Sequence, residues 1–141
     1  DVESRGLGDV YKRQVDNTLL CTDSLAIAGT DIKEGVMSGT EFIVEDGVCK
    51  LKDRSAFAGS IATADRLVRV MTKECGYDIL TAVKMITETP ANISKINAGS
   101  IEKGKRADII VFDDDINVEA TFVVGQKIDS TQIQEIKKWK N

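Results

Sequence analysis

Histidine is missing altogether from the 141 residues, and proline occurs once, at Pro90. Without an imidazole the chain cannot build a histidine-dependent triad or an imidazole-ligated metal site from its own residues. Cysteine is scarce, with Cys21, Cys49 and Cys75 far apart. No pair has the spacing of a metal knuckle or a redox motif, so buried or half-buried reduced thiols are expected. No apolar run approaches the roughly 20 residues that span a bilayer, and no signal peptide opens the sequence, so the cytoplasm is the expected location. Positive charge is in deficit, with 19 Lys and Arg against 23 Asp and Glu. An acidic chain without a basic run offers a phosphodiester backbone no footprint, and neither nucleic acid nor membrane is an expected partner. An initiating methionine is absent too, the first residue being Asp1. That fits processing as well as truncation.

What is present reads as an α/β chain. The composition, 42% hydrophobic and 30% charged, is ordinary for a globular protein. Residues 1–14 carry no helical or strand periodicity and resemble translated sequencing-adapter sequence, so they are set aside as a non-native leader. Thr-Leu-Leu-Cys-Thr (18–22) is a continuous apolar run that predicts a strand buried on both faces, as in parallel sheets. Residues 26–39, with three glycines, predict an irregular loop. Two short apolar runs flank Asp46-Gly47, which predicts a β-hairpin over 41–51.

Ser60 is expected to cap a helix whose apolar face is Ile61, Ala64, Leu67, Val68 and Met71, stopping near Gly76. Asp78 is expected to cap a second helix burying Ile79, Ala82, Val83 and Ile86. Pro90 suits the first position of a short third helix. Residues 107–112 and 118–124 predict strands, the second followed by a Gly125-Gln126 turn. Residues 131–140 predict a terminal helix with Ile133, Ile136 and Trp139 towards the body. There is no internal repeat and no low-complexity tract.

Asp23 is the first candidate for chemistry. A carboxylate at the C-terminal end of a buried parallel strand stands where barrel enzymes place catalytic groups. It could equally cap the following turn through an Asx-type bond. Phe57-Ala58-Gly59-Ser60 is the second candidate, a loop whose glycine would permit close backbone approach to a ligand, or simply a helix N-terminus. The three cations of Lys103-Gly104-Lys105-Arg106 read as a solvated edge, not a phosphate site.

These segments carry a resemblance. Leu-Cys-Thr-Asp-Ser-Leu-Ala-Ile-Ala-Gly (20–29), Phe57-Ala58-Gly59-Ser60, Thr89-Pro90-Ala91-Asn92 and Gly-Ser-Ile-Glu-Lys-Gly-Lys-Arg-Ala-Asp-Ile-Ile-Val-Phe-Asp (99–113) follow in the order and spacing of N-acetylglucosamine-6-phosphate deacetylases. The last of these segments is shared by many members of the amidohydrolase superfamily. Asp23, the hairpin and the Phe57–Ser60 tract point to the deacetylases. Two departures stand out: Phe57 replaces a leucine, which could alter the acyl-group wall, and Ala64 follows Thr63 where a methionine is usual.

The resemblance implies the C-terminal part of a metal-dependent (β/α)₈ (TIM) barrel hydrolase with strands of a small β domain. A complete barrel needs about 250 residues, more than this chain has. The implied organisation is a barrel end with a hairpin insertion over 15–98, small-domain strands over 99–128 and the helix over 129–141. The implied reaction hydrolyses N-acetyl-D-glucosamine 6-phosphate to D-glucosamine 6-phosphate and acetate. A divalent cation, zinc or iron, would polarise the amide, and Asp23 would act first as general base and then as general acid. Phe57, Ala58 and Gly59 would line the sugar and its acetyl group. Metal ligands and phosphate-binding residues are expected upstream, so the chain alone is expected to be inactive, and the full-length form to be a homo-oligomer. The alternatives are another amidohydrolase, a cyclic amidase or deaminase, or a non-catalytic β-rich domain.

Overall fold

The computed structural model describes residues 17–129. The leader at 1–14 and the helix expected at 131–140 lie outside the described residues. Four strands, β1 (Glu34–Met37), β2 (Thr40–Glu45), β3 (Val48–Leu51) and β4 (Phe57–Gly59), form one antiparallel sheet in that order. Helix α1 (Ala64–Arg69) runs into a π-helical turn, Val70–Glu74, and is followed by α2 (Ile79–Ile86) and α3 (Glu88–Ser94). Strands β5 (Ile109–Phe112), β6 (Val118–Val123) and β7 (Gln126–Ile128) make a second, separate antiparallel sheet.

The hairpins are written in their turns. Asp46-Gly47 joins β2 to β3 with φ of 53° and 74°. Paired positive angles define the type I′ turn, whose twist matches that of the flanking strands. Ser38-Gly39 makes the same turn between β1 and β2, with φ of 51° and 81°. That strand pair replaces the irregular loop expected over 26–39, because Ser-Gly supplies the required conformation as well as Asp-Gly does. The third such turn is Val124-Gly125, one residue earlier than the sequence suggested. A β-branched residue is an outlier at the 52° of Val124. Asp108 compensates, its Oδ1 accepting the Val124 N–H at 2.9 Å, while the Ala107 carbonyl accepts from the Gly125 N–H at 2.8 Å.

Several expectations need correction. Residues 18–22 form no strand; Leu20 N–H donates to the Met85 carbonyl at 3.0 Å, and the segment makes one isolated parallel bridge, Ser24 to Ser60. A barrel strand needs ladder partners on both sides, and residues 18–22 belong to no strand ladder among the described residues. Ser60 is engaged in that bridge and does not cap α1; Thr63 stands at the cap, with no side-chain bond there. Pro90 is the third residue of α3, not the first, and is tolerated because first-turn N–H groups lack helical partners anyway. Strand β5 starts two residues later than expected. Cys49 is buried, but Cys21 and Cys75 are exposed; all three are free.

The helices behave more nearly as read. Asp78 caps α2, its Oδ1 accepting the Thr81 N–H at 3.0 Å, and Gly76 ends the preceding turn at φ +76°. Within that turn the Thr72 hydroxyl donates to the carbonyls of Val68 and Arg69 at 3.0 and 3.1 Å. Such back-bonding competes with the helical ladder and bends it. On α2 the buried residues are Ala82 and Met85, while Ile79 is exposed. The face is rotated because α2 serves the Leu20 segment on one side and the core on the other.

That core joins the helices to the second sheet. Val68, Ala82 and Ile116 are buried together, with Met71, Val83, Ile86 and Phe112 packed round them. Ile116 sits at φ +64°, costly for a β-branched residue. Arg69 holds it there, donating to the carbonyls of Ile116 at 2.8 Å and Asp115 at 3.0 Å. One turn on, Lys73 donates to the Asp114 carbonyl at 3.0 Å. Asp113 closes the same loop through Asn117, whose backbone N–H reaches its Oδ1 at 2.8 Å.

Candidate functional site

The site grows from the Ser24–Ser60 bridge. Leu25 N–H donates to the Ser60 carbonyl at 2.9 Å, and the Ser24 hydroxyl donates to the carbonyl of Ala62. Ser60 Oγ accepts the Ala62 N–H at 3.1 Å. The two segments are thus stapled side by side, with Asp23 immediately before one bridge partner and Gly59 immediately before the other. Strand β4 is fixed from its far side by pairing with β3, Cys49 opposite Gly59 and Lys50 opposite Phe57, across a bulge. The Phe57–Ser60 tract is therefore a strand ending in a bridge, where a loop was expected.

Asp23 lies at φ +44° and is exposed. Among the described residues its carboxylate accepts no hydrogen bond, so the Asx-type cap that sequence also allowed is not formed. Ala58 is half-buried and Phe57 is 75% exposed, an unusual position for a large aromatic side chain. Gly59 has φ +151°, and a Cβ there would stand 2.8 Å from Leu25 Cγ and Cδ2. Leu25 packs into the space that Gly59 leaves open, a contact that no sequence signal announced. A cavity of about 250 Å³ opens behind the strand, lined by Leu20, Phe57, Gly59, Ser60, Leu67 and Met71 among others. Asp23 is not part of its wall.

Charge near the site is mostly spoken for. Burial alone would raise the Asp65 carboxyl, but bonds from the Thr63 hydroxyl, the Arg66 N–H and Arg69 hold it below the usual range. Arg66 reaches back to the hairpin turn, donating to the Gly47 carbonyl at 3.1 Å. At the remote edge, Lys105 pairs with Glu102 at 3.3 Å and Arg106 with Asp108 at 2.7 Å. Both are thus tied to local carboxylates, which accords with a solvated edge.

A divalent metal does not fit these residues. No group of three or more Cys, Asp or Glu side chains that could hold one occurs among the described residues, and histidine is absent from the whole sequence.

Residues 9–138 match the Amidohydrolase family. The chain belongs to that family. This amidohydrolase is 31% identical over 122 residues to an N-acetylglucosamine-6-phosphate deacetylase of Caenorhabditis elegans, covering 84% of this chain and 29% of the relative. It is 30% identical over 112 residues to an N-acetylgalactosamine-6-phosphate deacetylase of Shewanella sp. (strain ANA-3), covering 79% and 28%. Its fold superposes on the crystal structure of N-acetylglucosamine-6-phosphate deacetylase from Pasteurella multocida with a TM-score of 0.75 and 29% identity, over 92% of this chain and 34% of that one. The α/β class is thus that of these barrel hydrolases, and the chain spans about a third of the length of the relatives it matches.

Proposed function

We propose that this amidohydrolase chain supplies the proton-transfer residue and one wall of the sugar site of a deacetylase acting on N-acetyl-D-glucosamine 6-phosphate. The observation that supports the reading is the Ser24–Ser60 bridge, whose two partners directly follow Asp23 and Gly59 in the chain. Asp23 takes a proton from the attacking water as its oxygen adds to the amide carbonyl. The same carboxyl then delivers that proton to the nitrogen as the C–N bond breaks, leaving acetate and D-glucosamine 6-phosphate. Phe57, Ala58 and Gly59 shape the space for the acetyl group and the ring. The divalent cation that the family resemblance implies, zinc or iron, finds no ligand set among the described residues, so its ligands are assigned to other parts of the enzyme. The resemblance also supports a cytoplasmic homo-oligomer; no described helix is long and apolar enough to cross a membrane.

The galactosamine-6-phosphate relative favours a second reading, in which the substrate is the 4-epimer. Acetate release by the full enzyme from the two N-acetylated sugar phosphates, at equal concentration, decides between them. The gluco substrate should have the higher kcat/KM. A preference for the galacto epimer overturns the assignment of the sugar, and no release from either overturns the deacetylase reading.

A further inference from the structure

Beside the cavity behind β4 lies a second, more polar cleft of about 200 Å³. Gly29 and Thr30 line it from one turn, Asp46 and Gly47 from the hairpin turn, and Ile61 and Arg66 from the start of the helical region. Gly47, Ile61 and Arg66 line both spaces, so Arg66 stands at their junction. Asp23 lines neither. Two cations reach the cleft from separate elements, Lys33 from the residue before β1 and Arg66 from α1. The Lys33 carbonyl accepts the Val44 N–H at 2.6 Å, which fixes the root of its side chain beside β2. Arg66 Nη1 donates to the Gly47 carbonyl at 3.1 Å, and the rest of its fork is unused among the described residues. The turn between the two cations is closed by Thr30, whose hydroxyl donates to the Ile27 carbonyl at 2.7 Å.

Neither Lys33 nor Arg66 forms an ion pair among the described residues. Asp46, the one carboxylate on the wall, is paired with Lys50 at 3.3 Å. Asp31 and Glu34 stand near Lys33 in sequence, and neither lines the cleft. The cleft therefore carries positive charge that no described group answers. Apolar chain packed over it would strip two cations of water without a partner, at a heavy cost. An oxyanion answers the charge. The planar fork of an arginine suits two oxygens of one phosphate, and a lysine adds a point charge. At about 200 Å³ the space falls below the roughly 300–1,000 Å³ of drug-sized ligand pockets, a size for one phosphate group and not for a nucleotide. We propose that Lys33 and Arg66 hold a phosphate group in this cleft, apart from the substrate site at Asp23 and Phe57–Gly59.

Residue-resolved labelling of the full enzyme tests this, with acetic anhydride on Lys33 and phenylglyoxal on Arg66, read by peptide mass spectrometry. At about ten times its Kd, inorganic phosphate should slow labelling at both positions about tenfold. Sodium chloride at matched ionic strength should not, and Lys127, exposed on β7, should be unaffected by phosphate. Arg66→Ala should remove the protection of Lys33, and Lys33→Ala that of Arg66. The lysine side chain makes no bond among the described residues, so Lys33→Ala decides the matter if loss of the Arg66–Gly47 bond unfolds the hairpin. Glucose 6-phosphate in a parallel arm tells esterified phosphate from free. Protection by the ester as well supports a site for phosphate monoesters, and protection by inorganic phosphate alone supports a site for the free anion. Protection by neither overturns the proposal, as does equal protection by chloride or protection of one cation that survives loss of the other. Labelling already blocked without added anion also overturns it, because a carboxylate elsewhere in the enzyme would then fill the cleft.

Discussion

Gly59→Ala probes the contact on which the site is built. The added Cβ would stand 2.8 Å from Leu25 Cγ and Cδ2 and 2.9 Å from Cδ1. Carbon atoms settle at about 3.5–4.0 Å, so Leu25 must leave its rotamer or the Ser24–Ser60 staple must part. Overpacking of this kind costs about 1–3 kcal/mol. The φ of +151° adds a backbone penalty of about 1–3 kcal/mol for a residue with a side chain. Gly59→Ala should therefore destabilise by about 2–6 kcal/mol, the sum of those two terms. Leu25→Ala alone should cost about 1–2 kcal/mol, since its side chain is only half-buried. In the double variant the clash is gone, leaving the backbone penalty and the loss of the Leu25 side chain. The two changes should couple by about 1–3 kcal/mol, the double variant being more stable than the sum predicts. Urea unfolding of the four proteins measures this. Additivity within about 0.5 kcal/mol would refute the claim that Leu25 occupies the space Gly59 leaves open.

Thr89 is 4% exposed and its hydroxyl has no hydrogen-bond partner among the described residues, so Thr89→Val should stabilise by about 1 kcal/mol, read as a raised urea midpoint; a loss of stability would show that the hydroxyl is satisfied. The Thr81 hydroxyl and N–H hold the Asp78 carboxyl below its ordinary range, and Asn117 does the same for Asp113. Folded values below the unfolded ones mean that both contribute stability above about pH 4, which is lost as pH falls through their folded values. Asp78→Asn with Asp113→Asn should therefore flatten the acid limb of a melting-temperature profile, and an unchanged limb would contradict the assignment. The isolated 141-residue chain, without histidine, should release no acetate from N-acetyl-D-glucosamine 6-phosphate above a control with free metal ion; turnover would show a complete site within it.

Local chemistry made parts of this fold legible and long-range chemistry hid the rest. Asp46-Gly47 announces its hairpin because the turn's dihedral angles demand those residue types. Ser38-Gly39 carries the same information, but the run around it is too short and its residues too small to mark flanking strands. Asp78 and Gly76 mark their helix ends through bonds spanning three or four residues, which sequence can show. By contrast, Ile116 keeps a positive φ because Arg69, far away in sequence, holds its carbonyl. Leu20 donates its N–H to the Met85 carbonyl, a partner that no periodicity on α2 reveals. At the site, the resemblance singled out Asp23 and Phe57–Gly59. The staple that brings them together, Ser24 with Ser60, appears only once the chain is folded, and it displaced Ser60 from the capping role its position suggested.

The role of Asp23 is tested most directly by the turnover of Asp23→Asn in the full enzyme, read beside its KM. Asparagine keeps the shape of the side chain and can still hydrogen-bond, but it cannot take a proton from the attacking water or return one to the departing nitrogen. General acid–base assistance contributes about 10²–10⁴-fold, so kcat should fall by that order while KM stays within a few-fold of its original value. A kcat within a few-fold of the unmodified enzyme, with a lowered melting temperature, would instead make Asp23 a structural residue and contradict the account.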